Sequence, residues 1–100
     1  MEFEIVWTDR AVDSLHEVHA YLGQFNEAAA ERVTTAIMER VELLKAVPKL
    51  GAVYPKGLQG PYRVIISGRY RIFYRVLESS HRIDILLVWH GARQEPDLPP

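Results

Sequence analysis

The apolar residues of this chain change their spacing near the middle, and this change limits the fold class more than any other feature of the sequence. Between residues 8 and 47 they recur every three or four positions, which is the period of one face of an α-helix. Between residues 62 and 89 they follow a period of two, which is typical of β-strands. The first half of the chain therefore predicts helices and the second half predicts strands.

Two amphipathic helices are predicted in the first half. Thr8 offers an N-cap for the first helix, which ends near Gly23, and Asn26 offers one for the second helix, which ends before Pro48. The apolar faces consist of Ala11, Leu15, Val18 and Leu22 in the first helix and of Ala30, Val33, Ile37, Val41 and Leu44 in the second. Because only about three residues separate the helices, we expect an antiparallel hairpin.

Strands are predicted on both sides of this hairpin. Phe3, Ile5 and Trp7 alternate with other residues and predict a short N-terminal strand. Residues 48–61 are rich in proline and glycine and are predicted to form a loop. The predicted strands that follow form an antiparallel meander and consist of Tyr62–Ser67, Arg69–Leu77 and Arg82–Trp89.

The order of these elements predicts the fold class. Because the helices are segregated from most strands, we expect an α+β fold in which a small antiparallel sheet, in the order β-α-α-β-β-β, carries the helical hairpin on one face. The other face is then available for function. We expect residues 1–94 to form a single domain and residues 95–100, which include three prolines, to form a flexible C-terminal tail.

The composition excludes several kinds of site. The 100 residues include no cysteine, so disulfides, zinc–thiolate sites and thiol nucleophiles are excluded. The longest apolar run, from Ile85 to Trp89, is far shorter than the roughly 20 residues of a membrane-spanning helix, and the first residues do not resemble a signal peptide. There is no glycine-rich phosphate loop. We therefore expect a cytoplasmic protein with no membrane contact and no cofactor.

Charge is distributed unevenly along the chain. Residues 1–42 contain nine acids and three basic residues, whereas residues 43–77 contain seven basic residues and no acid. Clustered positive charge favours a polyanion or an acidic protein as partner, although a solvated sheet face balanced by acidic helices is an alternative. The seven basic residues are Lys45, Lys49, Lys56, Arg63, Arg69, Arg71 and Arg75.

The turn at Ser67-Gly68 decides which arginines share a sheet face, because a change of one residue in a hairpin loop moves every side chain of the next strand to the other face. A two-residue loop places Arg71 and Arg75 on the face opposite Arg63. An odd loop or a bulge makes four arginines converge on one face, namely Arg63, Arg69, Arg71 and Arg75. The sequence leaves both alternatives open.

The histidines and tryptophans offer few specific signals. His16 and His19 have a spacing compatible with two metal ligands, but no third ligand is evident and we expect no metal site. His90 is suited to acid–base chemistry near neutral pH or, more often in such a position, to a structural hydrogen bond. Trp7 and Trp89 are expected to pack in the core rather than to stack on bases.

Five segments of the chain together resemble one protein family. They are Trp7–Ala11, Asn26–Ala30, Arg63, Gly68–Val76 and Val88–Arg93. In this order and spacing, which extend over residues 3–93, they resemble the RelE/ParE superfamily of toxins from bacterial type II toxin–antitoxin modules. The strand after Gly68 and the terminal His90-Gly91-Ala92-Arg93 resemble the ParE branch more than the RelE branch.

This resemblance implies two alternative mechanisms. RelE-like members cut mRNA in the ribosomal A site with basic side chains and usually a late tyrosine. The chain departs from that pattern at Ile65 and Gly91, and no tyrosine follows Tyr74. ParE-like members act on DNA gyrase without an established chemical step of their own. If the chain were RelE-like, its catalytic candidates would be Arg63, Arg71 and His90.

We therefore interpret the sequence as that of a gyrase-directed toxin neutralised by a cognate antitoxin, ParD-like or of another type. The alternatives are a ribosome-dependent mRNA endonuclease and a non-toxic family member that only binds antitoxin. We expect target binding by Arg63, Arg69, Arg71, Arg75 and Arg93. We expect antitoxin binding by Leu15, Val18, Leu22 and Tyr74.

Overall fold

The computed structural model describes residues 2–54, 62–94 and 96–98. Its helices and strands are β1 (Glu4–Trp7), α1 (Asp9–Gly23), α2 (Glu27–Glu42), β2 (Ala52–Tyr54), β3 (Tyr62–Ser67), β4 (Tyr70–Leu77) and β5 (Arg82–His90), with short 3-10 turns at Leu43–Lys45 and Glu78–Ser80. In this part of the chain, neither helix has the length and apolar character that a membrane crossing requires.

Both predicted helix caps are confirmed. Thr8 Oγ1 accepts a hydrogen bond from Ala11 N at 3.2 Å, and Asn26 Oδ1 accepts one from Ala29 N at 3.0 Å. Each bond satisfies a backbone donor that has no partner within the first helical turn. The start of each helix is therefore encoded by the residue that precedes it.

The segment between α2 and β3 differs from the prediction in two ways. α2 ends at Glu42 rather than just before Pro48, since the chain continues as a 3-10 turn. Ala52–Tyr54 form a short edge strand where a loop is predicted, because three residues are too few to establish a period of two. The last part of the predicted loop, residues 55–61 with Lys56, lies outside the described residues.

The five strands form one mixed sheet in the order β1-β5-β4-β3-β2. The predicted α+β class is confirmed, and β3, β4 and β5 form the predicted antiparallel meander. However, β1 pairs with β5 in parallel, with Glu4 opposite Arg82, so the sheet is not purely antiparallel. A period of two identifies a strand, but it contains no information on the direction of the neighbouring strand.

Both faces of the sheet carry a buried apolar cluster. The first cluster lies between the sheet and the helices and includes Ala11, Ile37, Val41, Leu44, Ile72, Tyr74, Ile83 and Ile85. The second cluster lies on the opposite face and consists of Tyr62, Phe73, Leu86 and Leu87. In the predicted tail, Pro96 is buried and Leu98 packs against the second cluster, so these residues lie on the sheet. The opposite face is therefore only partly available to a partner.

The turn between β3 and β4 contains two residues, Gly68 and Arg69, rather than the predicted Ser67-Gly68. Gly68 has a φ of 58°, in the left-handed region that tight hairpin turns require and that glycine adopts without steric cost. Ser67 pairs with Tyr70, so the loop is even.

This register separates the arginines of the basic stretch. Arg63 pairs with Tyr74 on the face that meets the helices. Arg71 pairs with Ile66 on the opposite face, and Arg75 shares that face because it lies four residues further along the same strand. A single basic site made of all four arginines is therefore not formed.

A β-bulge in β5 is stabilised from α1. Leu86 is the extra residue between two successive pairs of the β4–β5 ladder. The buried hydroxyl of Ser14 accepts a hydrogen bond from Val88 N at 2.9 Å and donates one to Ala11 O at 2.8 Å. Because bulges leave backbone groups without ladder partners, Ser14 satisfies a buried donor and fixes α1 on the sheet.

The Tyr74 side chain connects the segment after α2 to the sheet. Its hydroxyl donates to Pro48 O at 2.8 Å and accepts from Gly51 N at 2.8 Å, and Arg63 Nη1 donates to Gly51 O at 2.8 Å. A Cβ at residue 51 would lie 2.6 Å from Val64 O, so only glycine fits there. Burial raises the pKa of Tyr74, against smaller opposing effects of the Gly51 hydrogen bond and of Arg63.

We expect Tyr74→Phe to lower the free energy of unfolding at neutral pH by about 1–3 kcal/mol, because two buried backbone groups lose their partner. Since the pKa of Tyr74 is raised in the folded protein, its contribution to stability is complete below the ordinary value of 10.0 and is lost as the pH rises above it. The difference between variant and wild type should therefore shrink in alkali. Urea unfolding of both proteins, at neutral pH and at a pH above 10.0, measures this difference in the free energy of unfolding. Tyr21→Phe, at an exposed site, is the control, and an equal loss there would contradict the prediction.

Candidate functional site

One end of the sheet brings the β3–β4 turn close to the residues that follow β5. Gly91 N donates a hydrogen bond to Arg69 O at 2.8 Å, and Tyr70 pairs with His90 at the end of the β4–β5 ladder. Among the predicted site residues, Arg69, His90 and Arg93 are therefore brought together. We term the five side chains at this end the strand-end site: Arg69, Tyr70, Trp89, His90 and Arg93.

His90 is held in place by local contacts. Its Nδ1 accepts a hydrogen bond from Ala92 N at 3.1 Å, and its ring packs edge-on against Tyr70 with the centroids 5.2 Å apart. An acceptor at Nδ1 places the proton of the neutral ring on Nε2. The predicted structural hydrogen bond is therefore present, and Nε2 is the nitrogen that this contact leaves available.

A cleft of about 410 Å³ opens between α1 and the strand-end site. Val18 and Tyr21 line it from the helix, and Tyr70 and His90 line it from the sheet. Burial raises the pKa of Tyr70, the nearby Tyr21 raises it further, and Arg69 partly opposes this change. The raised pKa makes the Tyr70 hydroxyl a weaker acid than an ordinary tyrosine.

An apolar groove of about 530 Å³ continues from this cleft along the helical hairpin. Tyr21, Leu22, Val33 and Ala36 line this hairpin groove, and Arg69 lies at its rim. Tyr21 is 60% exposed and packs edge-on against the exposed Phe25. An exposed pair of aromatic rings beside an apolar groove is typical of a protein-binding surface.

Trp89 and Arg93 form a stacked pair at the strand-end site. The guanidinium carbon of Arg93 lies 4.2 Å from the centroid of the Trp89 ring, which is a cation–π contact. Trp89 Nε1 donates a hydrogen bond to Gln94 O at 2.7 Å. As predicted, Trp89 and Trp7 both pack against apolar clusters, although each is half-buried.

Arg71 lies next to the strand-end site, on the sheet face that points away from the helices, where Trp89 also lies. Its guanidinium carbon is 5.3 Å from the centroid of the Phe73 ring, and it pairs with Trp89 across the β4–β5 ladder. A shallow cleft around the end of the sheet is bordered by Arg71 on one side and by Arg69 and His90 on the other.

Two predicted site residues serve the fold instead. Arg63 is bound to Gly51 O and faces the helices, away from the strand-end site. Tyr74, predicted to contact the antitoxin, is 0% exposed, so its side chain does not reach the surface of this structure. The reason is that β4 lies in the middle of the sheet, where Tyr74 is covered by the helices and by the Pro48–Gly51 segment.

Arg75, another predicted target-binding residue, belongs to an ion-pair cluster on the face opposite the helices. Asp84 lies directly opposite Arg75 on β5 and is buried. Its carboxylate is 2.9 Å from Arg82 Nε and 3.8 Å from Arg75 Nη2. The charge of Arg75 is therefore only partly offset by an acid outside the basic stretch of the sequence, because Arg82 shares the same carboxylate.

The lysines of the basic stretch that the structure describes also pair with acids. Lys45 Nζ is 3.1 Å from Glu42 Oε1, and Lys49 Nζ is 3.3 Å from Glu78 Oε1. Exposed pairs contribute little to stability, but they reduce the local potential. Three of the seven basic residues, Lys45, Lys49 and Arg75, therefore lie beside acids in the folded protein.

The predicted antitoxin-binding residues of α1 differ in their surroundings. Leu15 and Val18 are half-buried and pack against the first cluster, and Val18 also borders the cleft. Leu22 lines the hairpin groove. Of these three side chains, Val18 and Leu22 therefore line the clefts described above.

Comparison with known proteins decides the family. A family model described as the ParE toxin of the type II toxin–antitoxin system, parDE, matches residues 5–95. The chain belongs to this family. This ParE-family protein is the toxin of a type II toxin–antitoxin system within the RelE/ParE superfamily, which confirms the resemblance found in the sequence.

Relatives of this ParE-family toxin include two curated bacterial proteins. The chain is 28% identical to Toxin RelE2 of Caulobacter vibrioides over 90 residues, which cover 90% of this chain and 97% of that protein. It is 32% identical to Putative toxin Y4kP of Sinorhizobium fredii over 95 residues, which cover 94% of each.

Two solved structures have the fold of this ParE-family toxin. A chain of the chromosomal ParDE system from P. aeruginosa matches with a TM-score of 0.72 and 23% identity, covering 89% of this chain and 96% of that one. A chain of the RelBE2 toxin–antitoxin complex from Mycobacterium tuberculosis matches with a TM-score of 0.66 and 22% identity, covering 90% and 99%.

The sequence patterns did not identify three side chains of this ParE-family toxin that line the cleft or hold a nearby arginine. Ser14 follows Ala11 at helical spacing, and a hydroxyl on an apolar helix face is a signal of a buried hydrogen bond. Asp84 interrupts an apolar strand, which signals a paired acid. Tyr21 follows Val18 by three residues at the edge of the apolar face of α1, and a large aromatic residue at such an edge signals an exposed contact surface.

We expect Asp84→Ala to lower the free energy of unfolding by about 1–3 kcal/mol, because Arg75 and Arg82 lose the carboxylate that they share. The arginine side chains are 27% and 40% exposed, so solvent limits the loss. Chemical denaturation measures it. Asp13→Ala, an exposed site on α1, is the control and should change stability by less than about 0.5 kcal/mol. Equal losses in the two variants would contradict the prediction.

Proposed function

We propose that this toxin acts by binding DNA gyrase in the cytoplasm and that a cognate antitoxin neutralises it by covering the same end of the molecule. One observation carries the proposal. Of the three side chains that the RelE-like alternative requires, Arg71 and His90 border one shallow cleft, but Arg63 is bound to Gly51 O and lies apart from it, so the three do not converge.

RNA cleavage by a 2′-hydroxyl needs a base, an acid and a charge-stabilising group, all within hydrogen-bond reach of the reacting atoms. Arg63 is bound to a backbone carbonyl at 2.8 Å and faces the helices near the β2 edge. Arg71 and His90 extend from opposite faces of the sheet. Tyr70, which packs on His90, is a weaker proton donor than an ordinary tyrosine because burial raises its pKa. These features favour action by binding over action by chemistry.

The strand-end site has the residue types of a protein-binding surface. Arg69 and Arg93 lie there, close to the exposed Tyr21, and Arg93 stacks on Trp89, which packs on the other face of the sheet. Arginine, tryptophan and tyrosine are the residues that most often dominate the binding energy of protein interfaces. Two arginines that are not neutralised by the ion pairs described above favour rapid association with an acidic surface. Because the chain resembles ParE-like toxins, we propose gyrase as the protein that presents this acidic surface.

We expect purified wild-type toxin to inhibit DNA supercoiling by gyrase. In the double variant R69A/R93A inhibition should weaken by at least about tenfold, which corresponds to the loss of about 1.4 kcal/mol of binding free energy. Arg32→Ala, an exposed arginine on α2, is the matched control and should inhibit as strongly as the wild type. The measurement is the concentration of toxin that halves supercoiling.

Unaffected gyrase together with cleaved, ribosome-bound mRNA would contradict this proposal and support the endonuclease alternative. Primer extension on messages from cells that express the toxin detects such cleavage. Expression without growth arrest would support the alternative of a family member that only binds antitoxin.

We further propose that the antitoxin binds the hairpin groove. An apolar groove between two helices and a sheet is suited to the apolar face of an amphipathic helix, and Arg69 at the rim favours acidic residues beside that face. The groove shares Arg69, Tyr70 and His90 with the strand-end site, and it shares Tyr21 with the cleft beside that site. An antitoxin bound there would exclude the target, which gives neutralisation a simple steric basis.

We expect Tyr21→Asp to weaken binding of the antitoxin from the same operon by at least about tenfold, because a charge enters the apolar groove. Met38→Asp is the matched control, since Met38 is 51% exposed but lines a different surface, beside β1. Biolayer interferometry with both purified proteins measures the affinities. Similar affinities of the two variants would place the antitoxin elsewhere.

A further inference from the structure

The helical hairpin brings one histidine and two glutamates to the same point on its surface. His19 lies on α1, whereas Glu27 and Glu31 lie one turn apart on α2. His19 Nε2 is 3.0 Å from Glu31 Oε1 and 3.5 Å from Glu27 Oε1. One ligand atom from each residue lies within 4.8 Å of the other two. The sequence indicates no such cluster, because His16 and His19 lack a third ligand on their own helix.

We propose that His19, Glu27 and Glu31 form a site for one divalent transition-metal ion, with Zn²⁺ as the best match. Zn²⁺ accepts imidazole nitrogen and carboxylate oxygen at about 2.0–2.2 Å, and three protein ligands with one water complete its tetrahedron. The corners of such a tetrahedron are about 3.3–3.6 Å apart. The two nitrogen–oxygen distances of this cluster, 3.0 and 3.5 Å, are close to that spacing.

His19 Nε2 lies within hydrogen-bonding distance of Glu31 Oε1, at 3.0 Å, and a metal ion would take the place of the proton between them. Two carboxylates at positions i and i+4 of a helix repel each other, and the single proton on Nε2 can serve only one of them at a time. In the described part of the chain, the ion pairs of Glu27 and Glu31 involve only His19. The side chain of His19 is 33% exposed, so a metal ion can enter from solvent and retain a water ligand. A bound cation satisfies all three side chains at once.

Metal binding at this point would connect the two helices. The ion joins the last part of α1 to the first two turns of α2, and the unfolded chain does not hold these residues together. Binding to the folded state alone raises the apparent stability of the protein. The site is separate from the strand-end site, so this inference does not rest on the proposed target.

The test is a titration of the full chain with Zn²⁺ by isothermal titration calorimetry. Wild type and His16→Ala should each bind one ion with equal affinity, because His16 lies one turn away and does not contact the carboxylates. His19→Ala and Glu31→Gln should bind at least about tenfold more weakly, since each removes one of three ligands. Thermal unfolding with and without Zn²⁺ should give a rise in melting temperature for wild type and His16→Ala only.

Three results would overturn the inference. They are a wild-type chain that binds no Zn²⁺, a His19→Ala variant that binds as tightly as His16→Ala, and a melting temperature that Zn²⁺ raises equally in both histidine variants. Circular dichroism without metal verifies that each variant is folded, which the exposed positions of these side chains lead us to expect.

Discussion

The pairing of β5 with both β1 and β4 is the interaction on which the rest of the structure depends. Six consecutive residues, from Ile83 to Val88, are buried, because β5 lies inside the sheet with an apolar cluster on each face. α1 is attached to β5 through Ser14 at the bulge and through Thr8 Oγ1, which donates to Ile85 O at 2.7 Å. The helical hairpin, the N-terminal strand and the strand-end site are therefore all positioned relative to this one strand.

Position in the sheet decides what each arginine does. Arg63 meets a backbone carbonyl and Arg75 meets the buried carboxylate of Asp84, so both act as internal connections. Arg69 lies in a turn and Arg93 follows a strand end, where their charged groups face clefts rather than buried acceptors. An arginine therefore stabilises the fold where an acceptor within the protein lies in its reach, and it is available for binding where its charged group faces a cleft.

The surfaces proposed for target, antitoxin and metal are connected through α1. Tyr21 borders both the cleft and the hairpin groove, and His19 lies two residues before it on the side of α1 that meets the start of α2. A metal ion at His19 would hold the part of α1 that carries Tyr21. The packing of α1 on α2 thus determines the shape of the hairpin groove. The same packing places His19 where a metal ion would fix the α1 side of that groove.

The sequence by itself determined the helices with their caps, four of the five described strands, the α+β class, the family and three residues of the strand-end site. The reason is that apolar period, side-chain caps and motifs are local properties. Only the tertiary structure decided the parallel direction of β1, the burial of Tyr74 and the meeting of His19 with α2. It also placed Asp84 opposite Arg75. Each of these depends on which distant segments become neighbours, and spacing along the chain does not contain that information.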